Sequence, residues 1–149
     1  LGLLVLFLCA CGGASKPVQP DASASPLSAS NDSLYALVVK IHDDVMPENN
    51  TILGLQQQLK AQLPTLPEPL RDSLMPILTE LQLGYDGMMD WMRDFRNTEL
   101  HADEYAKMGE SGTREYLLAE QVKITKVGEQ MRRSIALARA WKAAHPVQK

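Results

Sequence analysis

The residues best suited to chemistry in this chain are soft ones. There are seven methionines, three histidines and two cysteines, and they are unevenly placed. His42 and Met46 are four apart, and Met88, Met89 and Met92 fall close together further along. Residues four apart on a helix share a face. If the two segments fold back on each other about a turn near Leu66, His42 comes level with Asp90 and Met46 with Asp86. One imidazole and several thioethers would then stand at one height. Such donors suit copper(I), a soft ion. The set His42, Met46, Met88, Met89 and Met92 is therefore the candidate metal site. Its competitor is packing. Methionine fills irregular cores well, Met88 and Met92 sit on an apolar seam, and His42 lies one place past a seam residue. The seam favours packing.

The second reactive feature is Leu8-Cys9-Ala10-Cys11 with Gly12-Gly13 behind it and the apolar run Leu1 to Leu8 in front. An apolar stretch of this length cannot span hydrocarbon, which takes roughly 20 residues. Before a small residue it reads as the h-region of a signal peptide. The chain starts at Leu1, so the charged n-region of such a peptide is expected upstream. The four residues resemble a bacterial lipobox. Cys11 is the expected lipidation site, because small Ala10 precedes it and Leu8 stands three before it. Several acyl chains anchor durably where one does not. Processing at Cys11 would remove Cys9 and leave no free thiol. Gly12 in place of Asp resembles the sorting pattern of outer-membrane lipoproteins facing the periplasm.

Other chemistry finds little support. His42, His101 and His145 accompany no glycine-framed serine, and no phosphate-binding glycine loop is present. The absence of Cys-x-x-Cys-His excludes a c-type haem. Asp86, Asp90 and Asp94 are spaced four apart and, with Asp43 and Asp44, form an acidic stripe expected to face the basic third helix. Calcium needs six to eight oxygens from a shaped loop, and the stripe supplies no such loop. No catalytic activity is expected, and no nucleic-acid binding, because the chain is acidic overall, with net charge −3.

Three long segments must position these residues. Leu34, Val38, Ile41, Val45, Ile52, Leu55 and Leu59 follow a heptad seam with Glu48 in its polar slot. This predicts a first helix from Asp32 to Leu63, capped by Asn31, Asp32 or Ser33 and kinked or broken at Pro47. Leu63-Pro64-Thr65-Leu66-Pro67-Glu68-Pro69 forbids regular helix and predicts a turn. Leu70, Leu74, Ile77, Leu81, Tyr85, Met88, Met92 and Phe95 predict the second helix, with Pro76 bending it or delaying its start. Gly84 and Gly87 could admit a close neighbour there. A short helix is expected at Ala102 to Met108 and a long one from Arg114 to Ala144, with Leu117, Ile124, Met131, Ile135 and Ala138 as its stripe and Gln121 and Gly128 as weaker members. The expected fold is all-α: an elongated antiparallel three-helix bundle with coiled-coil-like heptad packing. A signal peptide (1–10) and a flexible segment rich in Ala, Ser, Pro and Gly (11–30) precede it, leaving 31–149 for the bundle. The flexible segment lacks aromatic residues and apolar period, so it cannot offset its ordering entropy, and it reaches about 25 Å.

Charge is unevenly divided. Asp32 to Thr113 carries −8 and Arg114 to Lys149 carries +5, as expected if a basic third helix complements an acidic hairpin. His42-Asp43-Asp44-Val45-Met46-Pro47, Met88-Met89-Asp90-Trp91-Met92 and Val127-Gly128-Glu129-Gln130-Met131 resemble segments of a family of small bacterial envelope lipoproteins, whose members often carry the automatic label "viral A-type inclusion protein repeat". The resemblance implies an envelope location and a helical fold, and no activity. The expectation is thus a membrane-anchored envelope protein. It would meet the lipid bilayer through Cys11 and a protein partner through its helical surface. Copper(I) handling is one alternative. A holdase-like chaperone using methionine-rich helices is another.

Overall fold

The computed structural model describes residues 25–146. The signal peptide, Cys11 and most of the expected flexible segment lie outside them. Among the described residues every regular element is helical: α1 (Ala29–Val45), α2 (Glu48–Lys60), a 3₁₀ turn (Leu63–Thr65), α3 (Glu68–Asp94) and α4 (Ala102–Ala144). No helix among them is long and apolar enough to cross a membrane.

Pro47 divides the first arm. The Met46 amide still donates to the His42 carbonyl at 2.7 Å. Pro47 has no amide hydrogen, so the Asp43 carbonyl loses its helical donor. The chain answers with tighter i to i−3 bonds, from Asn49 to Met46 at 3.1 Å and from Asn50 to Pro47 at 3.3 Å. Both Met46 and Pro47 keep right-handed dihedrals, so the arm is kinked between two helices and does not open into a loop. The expected caps are not used, because α1 starts earlier, at Ala29. Asn31 is instead buried and donates to the Glu110 carbonyl at 3.0 Å.

The proline-rich segment makes the turn. Pro67 precedes α3, and the Leu70 and Arg71 amides reach back to its carbonyl. Proline in the first turn is harmless, since its amide would have had no partner. Pro76 lies inside α3 without ending it.

The direction of each arm follows from its cross-links. Asn31 meets Glu110, Glu48 meets Arg132 and Gln58 meets Lys142, so α1 and α2 run parallel to α4. His42 stacks on Trp91, Gln56 bonds Gln82 at 3.1 Å, and Trp141 reaches Ser73 at 3.3 Å. Thus α3 runs against the other two arms. The three packed arms enclose one core containing Val38, Val45, Ile52, Leu59, Leu74, Leu81, Met88, Ile124 and Met131.

Within α4, Gly109 has φ 66° and ψ −177°, a conformation essentially reserved for glycine. It separates a short first helix, as the sequence predicts, from a long one that begins before Arg114. Two other glycines mark close approaches. A Cβ on Gly128 would stand 3.0 Å from Val45 Cγ2, and one on Gly84 would stand 3.3 Å from the Met131 Cα. Gly84 admits α4, as expected. Gly128, a weak seam member by sequence, lets α1 approach α4 at Val45.

Candidate functional site

The hairpin places His42 where the height argument predicts, within one residue. Its imidazole stacks on the Trp91 indole, with ring centroids 5.4 Å apart and planes 26° apart. Nδ1 lies 2.9 Å from the Asp43 carboxylate. Nε2 is buried and has no hydrogen-bond partner, and the same is true of Trp91 Nε1.

The methionines divide. Met88 is fully buried in the core. Met46 and Met89 are partly buried against it, and the Met46 sulfur accepts a hydrogen bond from Asn49 Nδ2 at 3.4 Å. Met92, read from sequence as a seam residue, is 42 % exposed. The seam of α3 continues instead through Gly84, Met88 and Trp91, which turns its buried face toward α4. The reason is the kink at Pro47. It lets α1 follow α4 while α2 packs on both α3 and α4, so α1 and α3 have no extensive contact of their own. This leaves a gap between α1 and α3, and Met92 lies off the buried seam.

Aromatic side chains bridge that gap. Trp91 stacks on Phe95 at 4.6 Å; Phe95 meets Tyr35 at 5.6 Å and Tyr116 at 6.4 Å; Tyr105 meets Tyr116 edge-on at 5.9 Å. These separations suit offset and edge-to-face pairs. The tyrosine hydroxyls then hold the connection from α3 to α4. The Arg96 amide donates to Tyr116 at 2.8 Å, the Tyr105 hydroxyl donates to the Arg96 carbonyl at 2.6 Å, and the Thr98 amide donates to Tyr35 at 3.3 Å. Burial, with smaller contributions from the neighbouring tyrosines, pushes the Tyr105 hydroxyl well above the ordinary phenol range. Burial also raises Tyr116, against the lowering effect of the Arg96 amide. The sequence reading missed this layer because its members are dispersed over four segments without a common period. The signal available was compositional: five of the chain's eight aromatic residues, Tyr35, Trp91, Phe95, Tyr105 and Tyr116, form this layer.

The acidic stripe is only partly matched to α4. Asp44 pairs with Lys40 at 2.6 Å, and Asp90 and Asp94 both pair with Arg93, all on their own helices. Asp90 and Asp94 do share a groove of about 400 Å³ with Lys123 and Lys126. The direct ion pairs between arms lie elsewhere: Arg132 with Glu48 at 2.9 Å and Arg133 with Glu80 at 3.7 Å. Among the described residues no three His, Cys, Asp or Glu side chains gather as a metal site would require. Comparison of the chain with protein-family models, curated proteins and solved structures finds no match.

Proposed function

We propose that the chain is a lipid-anchored protein of the bacterial cell envelope, held at the outer membrane and facing the periplasm, whose helical domain serves as a non-catalytic interaction or structural module. The observation that carries this reading is Leu8-Cys9-Ala10-Cys11, an apolar run ending in a small residue and a cysteine. Cys11 carries the lipid, and the resemblance to small envelope lipoproteins belongs to the same reading. The buried seam residues Val38, Val45, Ile52, Leu59, Leu74, Leu81 and Met88 support coiled-coil-like packing of an elongated antiparallel bundle. Many polar side chains of the bundle are engaged in holding helices together, which favours a structural role over a reactive one. Replacing Cys11 with Ala tests the anchor. The account expects an unacylated protein released from the membrane fraction. A Cys11→Ala protein that still sediments with membranes contradicts it.

A second reading is favoured by one observation, the buried and unpartnered Nε2 of His42. In that reading His42, Met46, Met89 and Met92 hold copper(I) at the seam between α1 and α3, with Met88 behind them. Thioether and imidazole donors suit the ion. Copper(I) titration of the purified chain separates the readings. Stoichiometric binding lost in a variant with His42 and Met92 replaced by Leu supports metal handling. A chain that does not bind copper(I) returns these residues to packing.

A further inference from the structure

The outward face of α4 carries more apolar surface than a solvated helix requires. Leu118, Val122 and Leu137 are 43 %, 53 % and 44 % exposed, and Ala119, Ala136 and Ala140 are exposed beside them. Leu118, Val122, Lys126 and Glu129 line a groove of about 400 Å³ along this helix. The residues repeat in mirror order. Leu118-Ala119 at one end answers Ala136-Leu137 at the other, and Lys126 answers Glu129 across a centre between Val127 and Gly128. At 3.6 residues per turn, all six lie within about 50° of one outward line.

A face of this kind complements itself when turned end to end. A two-fold axis through the centre brings Lys126 level with the partner's Glu129, and Glu129 level with the partner's Lys126. Leu118 is then level with the partner's Leu137 and packs beside it against the partner's Ala136, while Val122 is level with the partner's Arg133. A self-complementary patch is what a closed two-fold dimer needs. Among the described residues neither Lys126 nor Glu129 has an ion-pair partner, and Lys126 also borders the groove that holds Asp90 and Asp94.

We propose that this face of α4 docks a second copy of the chain, antiparallel, about an axis between Val127 and Gly128. The proposal does not depend on the lipid anchor. Because α1 runs parallel to α4, it places the two α1 N-termini at opposite ends of the pair. At its centre stand two reciprocal charge pairs, flanked by Val122 against the partner's Arg133, so the association is weak in dilute solution and strengthens with concentration.

Charge exchange tests it. The purified full-length chain, held in detergent micelles, is followed by sedimentation across a wide concentration range. The parent is expected to pass from monomer to dimer. Lys126→Glu and Glu129→Lys each place like charges opposite one another and should weaken dimerisation about tenfold, while the double exchange restores it. These exposed positions leave the thermal unfolding midpoint nearly unchanged. Spin labels on Ser30 in the dimer should lie far apart. A chain that remains monomeric throughout, a dimer unmoved by either single reversal, or closely spaced Ser30 labels would each overturn the proposal.

Discussion

The two halves of the bundle solve the same packing problem in different ways. Below the Pro47 kink, α2 comes close to α3 and α4, and Gly84 lets the α3 and α4 backbones approach. Above it, α1 follows α4 and parts from α3, and rings occupy the space between them. Glycines let helices approach in both halves, Gly84 below the kink and Gly128 against Val45 above it, and the upper half adds a layer of stacked rings. The upper half leaves two polar ring atoms, His42 Nε2 and Trp91 Nε1, buried without partners. Below the kink the atoms left without partners are the side-chain oxygens Glu48 Oε2 and Asn49 Oδ1, next to the bend, while Gln56 bonds Gln82 and Ser134 bonds the Met131 carbonyl.

The difference can be broken most forcefully at Trp91. Truncation to Ala removes the ring that joins His42 to Phe95 and should cost about 3–5 kcal/mol, measured by urea unfolding. A loss near that of an exposed residue would show that the rings do not bridge the gap. In the lower half the corresponding change is an addition. Gly84→Val drives methyl groups toward the Met131 backbone and the Ser134 hydroxyl, and overpacking of this kind costs about 1–3 kcal/mol. An unchanged midpoint would mean that the helices separate freely there.

The tyrosine clamp gives the upper half a pH signature. Tyr105 and Tyr116 have raised pKa values in the folded state, so folding favours their protonated forms. This contribution is fully present below the unfolded phenol value of about 10 and fades as pH rises beyond it toward the folded values. Stability should therefore fall above pH 10, and Tyr105→Phe should flatten that fall. At neutral pH the same change leaves the Arg96 carbonyl without its 2.6 Å donor and costs about 1–2 kcal/mol. Unfolding curves at neutral and alkaline pH check both effects. The smallest contrast is Gly54→Ala. Nothing lies within 4 Å of a Cβ there, so helix propensity alone should stabilise by about 1 kcal/mol. A loss at Gly54 would make space, rather than backbone freedom, the wrong account of the glycines.

Much of the lower half is legible from sequence because its period is regular. Ile52, Leu55, Leu59, Leu74 and Leu81 repeat at helical spacing, and all five are buried. The proline-rich turn and the opposed directions of α1 and α3 are legible too, which is why His42 falls opposite Trp91 nearly where the hairpin predicts. What escaped depends on how α1 leans. Periodicity on α3 cannot say whether its buried face follows α1 or α4, so Met92 was expected on the seam and Trp91, though level with His42, off it. Gly128 is a weaker member of the α4 stripe by sequence; its role depends on the side chain of Val45, over eighty residues away in the chain. The clamp formed by Tyr35, Tyr105 and Tyr116 joins residues with no common spacing, so no local pattern could announce it. The soft-metal candidates were legible as types and heights, and the unpartnered His42 nitrogen became visible only in the folded chain.

The proposed function stands or falls at Cys11, and mass spectrometry of the N-terminal peptide from the bacterially expressed full-length protein tests it most directly. The account predicts a mature chain that begins at Cys11 and carries acyl groups on that residue. A mature peptide that begins elsewhere, or a Cys11 recovered without lipid, would contradict it.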